Sequence, residues 1–159
     1  LPSLFYLSEI SKSDDYLVIQ SENNFPTSSG LASSASGIAS FVTAYDAHYN
    51  LNLEMSNKIE ACILGSGSAP RSLIGGFVLM DHKNNYSCTQ VLSKADWPVD
   101  VLICLASKET KKISSRQGME ISKRTSPLYQ DWLGRNDKDI SLALGAIKEK
   151  DMSRLLKSA

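Results

Sequence analysis

The sequence has few of the features that would place it in a specialised class of protein. Its 159 residues include three cysteines and two histidines, and 17 basic side chains balance 17 acidic ones. The cysteines Cys62, Cys88 and Cys104 are odd in number and far apart, which argues against a disulfide framework and favours a reducing, cytoplasmic setting. No metal site is predicted, because His48 and His82 also lie far apart.

Other absences argue against membrane and nucleic-acid partners. No apolar run approaches the roughly 20 residues of a membrane-spanning helix, and the first ten residues lack the basic start and long apolar stretch of a signal peptide. A net charge of zero gives no general attraction to nucleic acid or to an anionic membrane. The sequence does not begin with methionine, so we expect it to start inside a longer protein.

The polar and apolar pattern predicts a mixed α+β fold with a core, since 42% of the residues are hydrophobic. Residues 16–20 are predicted as a short strand. Residues 73–80 and 86–92 are predicted as a hairpin, because turn-forming residues separate them. Residues 99–106 form a nearly continuous apolar run, which is typical of a buried strand.

Helical spacing predicts the remaining elements. One helix is expected to begin near Ser33 or Ser34, and a second over residues 54–64, where Gly65 ends it. The pattern becomes helical again after Gln117. A seam near residues 93–97 would separate two domains.

The most informative segment is residues 23–37, NNFPTSSGLASSASG, which follows the first predicted strand and opens a helix. The start of a helix presents unpaired backbone N–H groups and the positive end of the helix dipole, so it attracts anions. The segment lacks the glycine-lysine ending of a Walker A loop and the glycine spacing of a Rossmann turn. The residues alone predict either a phosphate-binding loop or a serine-rich linker that ends in a helix cap.

Two further segments have similar chemistry. Residues 65–78, GSGSAPRSLIGGFV, place Arg71 near the hydroxyls of Ser66 and Ser68, and a guanidinium group binds phosphate or carboxylate in a bidentate fork. Residues 114–119, SSRQGM, also open a predicted helix. The lysines that precede them are Lys108, Lys111 and Lys112. The alternative for residues 65–78 is a surface arginine that follows a helix end. The alternative for residues 114–119 is that the lysines form a solvated turn and the serines only cap a helix.

These motifs carry a resemblance to a known family. The pattern Pro26-x-x-x-Gly30-Leu31-x-Ser33-Ser34-Ala35 resembles the phosphate loop of the GHMP kinase superfamily, and its form NNFPT-x-x-GLASSA resembles that of mevalonate diphosphate decarboxylases. Most superfamily members have glycine where this sequence has Ala32. Residues 65–76 are similar to the G-S-G-S-A-x-R-S-x-x-G-G motif of the decarboxylases, with Pro70 at a position that is usually cysteine. The resemblance extends from about residue 16 to residue 132.

The resemblance implies a GHMP-type α+β fold with two domains. Residues 1–92 would belong to the N-terminal nucleotide-binding domain, a ribosomal-protein-like β-α sandwich. Residues 93–159 would begin a ferredoxin-like C-terminal domain. The active site would lie between the domains, where Ser34, Arg71 and Arg116 are expected to converge.

The resemblance also implies a reaction. These enzymes use ATP and Mg²⁺ to phosphorylate the tertiary hydroxyl of mevalonate 5-diphosphate, and the phosphate then leaves as carbon dioxide is lost, which gives isopentenyl diphosphate for isoprenoid biosynthesis. Preorganised donors around the departing phosphate should dominate catalysis. Ser34 and Arg71 are the catalytic candidates. The candidates for binding ATP are Ser28, Ser29, Gly30, Leu31, Ala32, Ser33 and Ser34. The candidates for binding the substrate are Ser66, Gly67, Ser68, Arg71, Ser115, Arg116 and Met119.

One departure from the family limits this interpretation. The D-x-G-P-N-like segment that holds the family's catalytic aspartate is absent from the sequence. We therefore expect the middle part of a longer enzyme, which would not turn over by itself. The alternatives are a mevalonate 3-kinase or a phosphomevalonate decarboxylase on the same scaffold, or a non-catalytic phosphate-binding fragment. The expected partner is a small-molecule substrate, and the family also forms homodimers, although no residue here specifies an interface.

Overall fold

A computed structural model of the chain describes residues 1–25, 27, 30–104 and 113–158. The chain divides into two units, Leu1–Gln90 and Val91–Ala159. Helices and a small sheet occur together, so the predicted α+β class is confirmed.

Three helices build most of the first unit: α1 (Pro2–Ser11), α2 (Ser33–Tyr49) and α3 (Met55–Gly65). Helix α1 was not predicted from the sequence, whereas α2 and α3 begin within a residue or two of their predicted starts. One face of α2 is buried because its apolar residues recur at helical spacing. The buried residues of α2 are Ala35, Ala39, Val42 and Tyr45. They pack with Leu7 of α1 and with Ala61 and Cys62 of α3.

A carboxylate joins α2 to α3. The side chain of Asp46 accepts a hydrogen bond from the backbone N–H of Leu53 at 2.9 Å, and its other oxygen lies 2.7 Å from Nζ of Lys58. Asn50 ends α2 in a left-handed conformation with φ 51. These contacts fix the short connection, and therefore the position at which α3 begins.

The predicted hairpin is confirmed, with one shift at its start. Strand β1 spans Phe77–Asp81 and β2 spans Ser87–Leu92, and a 3₁₀ turn at His82–Asn84 joins them. Strand β1 begins later than residue 73, because Ala69–Leu73 forms another 3₁₀ turn with proline at its start. The ring of proline fixes φ near the value that such a turn requires.

Two predicted strands are wrong. Residues 16–20 have no strand pairing, and Tyr16 is 95% exposed. Residues 99–104 are also unpaired, and Leu102 is 91% exposed. The last two residues of the prediction over 99–106 lie outside the described residues. A strand needs a hydrogen-bonded neighbour, and the sheet formed by the described residues contains only β1 and β2.

The described residues of the second unit form three helices: α4 (Ser115–Thr125), α5 (Tyr129–Glu149) and α6 (Met152–Lys157). This confirms the helical pattern predicted after Gln117. Helix α6 packs against the end of α5, where Ala146 is buried, and the carboxylate of Asp151 caps α6 by accepting the N–H of Arg154 at 3.0 Å. In the described part of the chain, no helix has the length and apolar character needed to cross a membrane.

Candidate functional site

Helix α2 begins without a side-chain cap. Its N-cap residue is Ala32, whose backbone is left-handed with φ 55 and ψ 38, and Gly30 just before it has φ 90. The carbonyl of Ala32 accepts the N–H of Ala35 at 2.9 Å and of Ser36 at 3.1 Å. An alanine side chain has no oxygen that could accept a first-turn N–H group. No side chain therefore caps the first turn, and its N–H groups and the positive end of the helix dipole face the preceding loop. A helix start of this kind attracts anions.

Three hydroxyl groups form a row beside this helix start. The Oγ atoms of Ser34 and Ser66 are 3.4 Å apart, and those of Ser66 and Ser68 are 3.5 Å apart. At these distances the hydroxyls interact weakly with one another and keep most of their hydrogen-bonding capacity for a ligand. We call Ser34, Ser66 and Ser68 the serine row.

The end of helix α3 positions Ser66 and Ser68 beside Ser34. Ser66 directly follows α3, and its N–H donates to the carbonyl of Cys62 at 2.8 Å. The next turn is closed by the N–H of Ala69, which donates to the carbonyl of Ser66 at 2.9 Å. The two loops that the sequence identified separately, at residues 23–37 and 65–78, therefore meet in the first unit.

A groove of about 440 Å³ opens at the start of α2. Its volume is in the range of small-molecule sites. The residues that line it are Leu1, Ser21, Asn23, Ser33, Ser34, Gly37, Ile38, Phe41 and Gly65. Ser21 and Phe41 were not predicted as site residues, because nothing in their sequence context distinguishes a groove-lining position from an ordinary one. Gly65 was predicted to end a helix and to open the motif of residues 65–76, but it was not named as a site residue.

Arg71 lies in the 3₁₀ turn after the serine row, and its side chain is exposed. The buried neighbours Ala69 and Pro70 anchor the turn. Burial raises the pKa of the Cys88 thiol, and the positive charge of Arg71 acts in the opposite direction, which places the guanidinium near β2. Among the residues that the structure describes, those lining the groove do not include Arg71.

Part of the predicted phosphate loop and part of the predicted basic turn lie outside the described residues. Ser28 and Ser29 are in this group, as are Lys108, Lys111 and Lys112. Gly30, Leu31 and Ala32 lead from the loop into α2 as predicted.

The third predicted segment opens helix α4 in the second unit. Ser115, Arg116 and Met119 are exposed there, and Met119 is 66% accessible. Ser114 and Gln117 form a capping box: Oγ of Ser114 accepts the N–H of Gln117 at 3.2 Å, and the N–H of Ser114 donates to Oε1 of Gln117 at 3.1 Å. Helix α4 thus supplies its own cap, in contrast to α2. The predicted convergence of Arg116 with Ser34 and Arg71 stays a prediction.

No cluster of three or more His, Cys, Asp or Glu side chains that could hold a metal ion occurs in residues 1–25, 27, 30–104 and 113–158. A magnesium ion commonly binds through one or two carboxylates together with substrate phosphates.

The chain is similar to solved decarboxylase structures over nearly its whole length. It matches mevalonate diphosphate decarboxylase from Staphylococcus aureus with a TM-score of 0.79 and 30% identity, covering 98% of this chain and 48% of that one. It matches MDDEF in complex with MVAPP, AMPPCP and magnesium with a TM-score of 0.78 and 34% identity, covering 98% of this chain and 49% of that one. These similarities confirm the predicted GHMP-type fold class.

A relative of known sequence agrees with the solved structures. The diphosphomevalonate decarboxylase of Ganoderma lucidum is 41% identical over 131 residues, which are 77% of this chain and 32% of the relative. The chain therefore spans about a third to a half of the length of the proteins that it matches.

Two family models match the chain in sequence order. Residues 4–91 match the diphosphomevalonate decarboxylase-like N-terminal domain, and residues 101–158 match the mevalonate 5-diphosphate decarboxylase C-terminal domain. The first match alone covers more than half of the 159 residues. The chain therefore belongs to the diphosphomevalonate decarboxylase family.

Proposed function

We propose that this chain forms part of an enzyme that converts mevalonate 5-diphosphate to isopentenyl diphosphate and carbon dioxide with the use of ATP and Mg²⁺. Family membership supports the reaction, and a relative solved with MVAPP, AMPPCP and magnesium supports the ligands. The observation that carries the proposal is the uncapped start of α2, which opens on a groove beside the serine row.

The start of α2 would bind the nucleotide phosphates. The first-turn N–H groups and the hydroxyls of Ser33 and Ser34 supply donors, and the left-handed Gly30 and Ala32 shape the backbone that leads to them. Ser28, Ser29 and Leu31 complete the proposed phosphate loop. When bound, ATP supplies the phosphoryl group that turns a tertiary hydroxyl into a good leaving group. Ser34 is the proposed catalytic serine, because its hydroxyl stands both at the helix start and in the serine row.

The loop after α3 would hold the substrate. Arg71 is exposed, and its fork of N–H donors fits the substrate carboxylate. Ser66, Gly67 and Ser68 would add hydroxyls and an open backbone to the substrate-binding loop. Ser115, Arg116 and Met119 of the second unit would contact the diphosphate end of the substrate.

The domain assignment belongs to the same proposal. Residues 1–92 are assigned to the N-terminal nucleotide-binding domain and residues 93–159 to the start of the C-terminal domain. The division of the chain near residue 90 and the two family matches support this assignment.

We also infer a cytoplasmic location, which is supported by the free thiols of Cys62, Cys88 and Cys104.

The proposal predicts binding without turnover for the 159 residues, because the aspartate-bearing segment of the family is absent from them. Phosphorylated mevalonate formed without release of carbon dioxide would favour the 3-kinase alternative. Phosphate binding with no product of either kind in a full-length protein would favour a non-catalytic role.

A nucleotide titration tests the proposal directly. Backbone amide signals are followed by NMR while AMPPCP and Mg²⁺ are added to the millimolar range. We expect the largest shifts at Gly30 and Ser33–Ser36, and about tenfold weaker binding for Ser34→Ala, which corresponds to about 1.4 kcal/mol. The control is Ser40→Ala, an exposed serine of the same helix that does not line the groove. No response of these amides at millimolar nucleotide would overturn the proposal.

A further inference from the structure

Gly65, the last residue of α3, packs tightly against side chains of the two helices beside it. A Cβ atom placed on Gly65 would lie 2.5 Å from Oγ of Ser3 in α1. It would also lie 2.7 Å from Cδ1 and 2.9 Å from Cγ2 of Ile38 in α2. Real carbon atoms do not approach this closely, so only glycine fits the observed spacing.

On the α1 side, the side chain that Gly65 contacts packs without making a hydrogen bond among the described residues. Ser3 is fully buried, and its Oγ has no hydrogen-bond partner among the described residues. A buried hydroxyl without a partner has a free-energy cost of about 1–3 kcal/mol. Its removal should therefore be tolerated, which makes Ser3 a useful site for opening space beside Gly65.

The contact at Gly65 lies next to the serine row. Gly65 directly precedes Ser66, and Ile38 lies one helical turn after Ser34. The contact of Gly65 with Ile38 and the Ser34–Ser66 pair, whose Oγ atoms are 3.4 Å apart, therefore lie side by side between α2 and the end of α3.

We propose that Gly65 is a positioning residue: its missing side chain lets the end of α3 approach α2 closely enough to hold Ser66 against Ser34 at the groove. Gly65 itself lines the groove together with Ile38 and Ser34. The role of this spacing in binding a nucleotide rests on the proposed function. The role in setting the Ser34–Ser66 geometry does not.

The test compares Gly65→Ala with a matched control and a compensated variant. The control is Gly75→Ala in the same connecting segment, where an added Cβ meets no atom within 4 Å. The compensated variant adds Ser3→Ala and Ile38→Ala, which remove all three atoms that the new Cβ would meet, and its reference is the Ser3→Ala/Ile38→Ala double variant.

Two readouts are taken from each folded variant. Without ligand, Gly65→Ala should shift the amide signals of Ser34, Ser66 and Ser68, while Gly75→Ala leaves them unchanged. With AMPPCP and Mg²⁺, isothermal titration calorimetry should show about tenfold weaker binding for Gly65→Ala, the equivalent of one lost charge-assisted contact. The compensated variant should return to within threefold of its reference.

Lower thermal stability of Gly65→Ala with unchanged serine-row signals and unchanged affinity would show a purely structural glycine and overturn the proposal. If Gly65→Ala does not fold, the compensated variant decides: affinity equal to that of its reference supports the proposal, and tenfold weaker affinity overturns it. If the unaltered chain does not bind AMPPCP, the proposed function fails, and the ligand-free amide signals alone judge the role of Gly65.

Discussion

At the scale of single residues, Ala32 combines a poor cap with an unfavourable backbone conformation. A residue other than glycine in the left-handed region destabilises the folded state by about 1–2 kcal/mol. Glycine would remove this strain, but it would also make the unfolded chain more flexible, which offsets part of the gain. We expect Ala32→Gly to raise the free energy of unfolding by about 0.5–1 kcal/mol in urea denaturation. Ala47→Gly, inside the same helix, should lower it by about 1 kcal/mol. A loss of stability in Ala32→Gly would show that the alanine side chain makes a contact worth more than the strain.

The cysteines differ in reactivity for a reason that is also local. Burial, together with the negative charge of a Cys88 thiolate, raises the pKa of the Cys62 thiol to about 11. Cys104 is exposed. Because the thiolate is the nucleophile, iodoacetamide near neutral pH should label Cys104 rapidly and Cys62 at least 100-fold more slowly, roughly as the thiolate fraction requires.

Mass spectrometry of the labelled peptides over time measures both rates. In urea, where burial is lost, the two rates should converge. Equal rates in the folded chain would mean that α3 opens readily.

At the scale of elements, Asp46 is the link between α2 and α3. Hydrogen bonds from Lys58, and then from the N–H of Leu53, lower the pKa of its carboxyl group. A carboxyl group whose pKa is lowered by folding stabilises the fold above its unfolded pKa, near 3.9, and this contribution is lost as the pH falls through the folded value.

Asp46→Asn should therefore cost about 1 kcal/mol near neutral pH. The difference from the unaltered chain should shrink below about pH 4, measured as urea midpoints at the two pH values. Asp14→Asn, at an exposed position, is the matched control and should have no effect at either pH. A cost that stays constant with pH would assign the effect to packing and not to ionisation.

The elements also show what the sequence could and could not predict. The start of α2 and the hairpin turn depend on signals within a few residues, such as the small residues before Ser33 and the polar turn after β1, and both were predicted correctly. Residues 16–20 and 99–104 have strand-like composition, but a strand depends on a distant partner that a local pattern does not contain. The close packing at Gly65 was invisible for the same reason: Ser3 and Ile38 are far from it in sequence, and glycine at a helix end is already expected as a terminator.

At the scale of the whole molecule, the proposed anion site does not depend on the net charge of the chain. The chain has no excess of basic residues, yet the start of α2 and the serine row bring neutral donors together beside one groove. Binding that depends on backbone N–H groups and hydroxyls is less sensitive to salt than binding to a cluster of lysines, because few counterions are displaced. The affinity for AMPPCP should therefore fall less than tenfold when the salt concentration rises from low to several hundred millimolar.

The final prediction concerns Arg71 in a molecule that contains the parts absent from this sequence. A chimera can be built in which this chain replaces the 48% of the Staphylococcus aureus decarboxylase that it matches. Arg71 is exposed and its turn is held by Ala69 and Pro70, so Arg71→Ala should leave the melting temperature unchanged. Under the proposed role of Arg71, loss of its N–H donors should lower kcat for carbon dioxide release by roughly 100-fold or more.

Two further variants separate charge, geometry and surface effects in that chimera. Arg71→Lys keeps the charge but not the bidentate fork, so its activity should lie between those of the chimera and of Arg71→Ala. Arg135→Ala, an exposed arginine of α5, should behave as the chimera does. Normal carbon dioxide release by Arg71→Ala would remove Arg71 from the site, whereas a lowered melting temperature with a proportionate loss of activity would make it a structural residue of the turn.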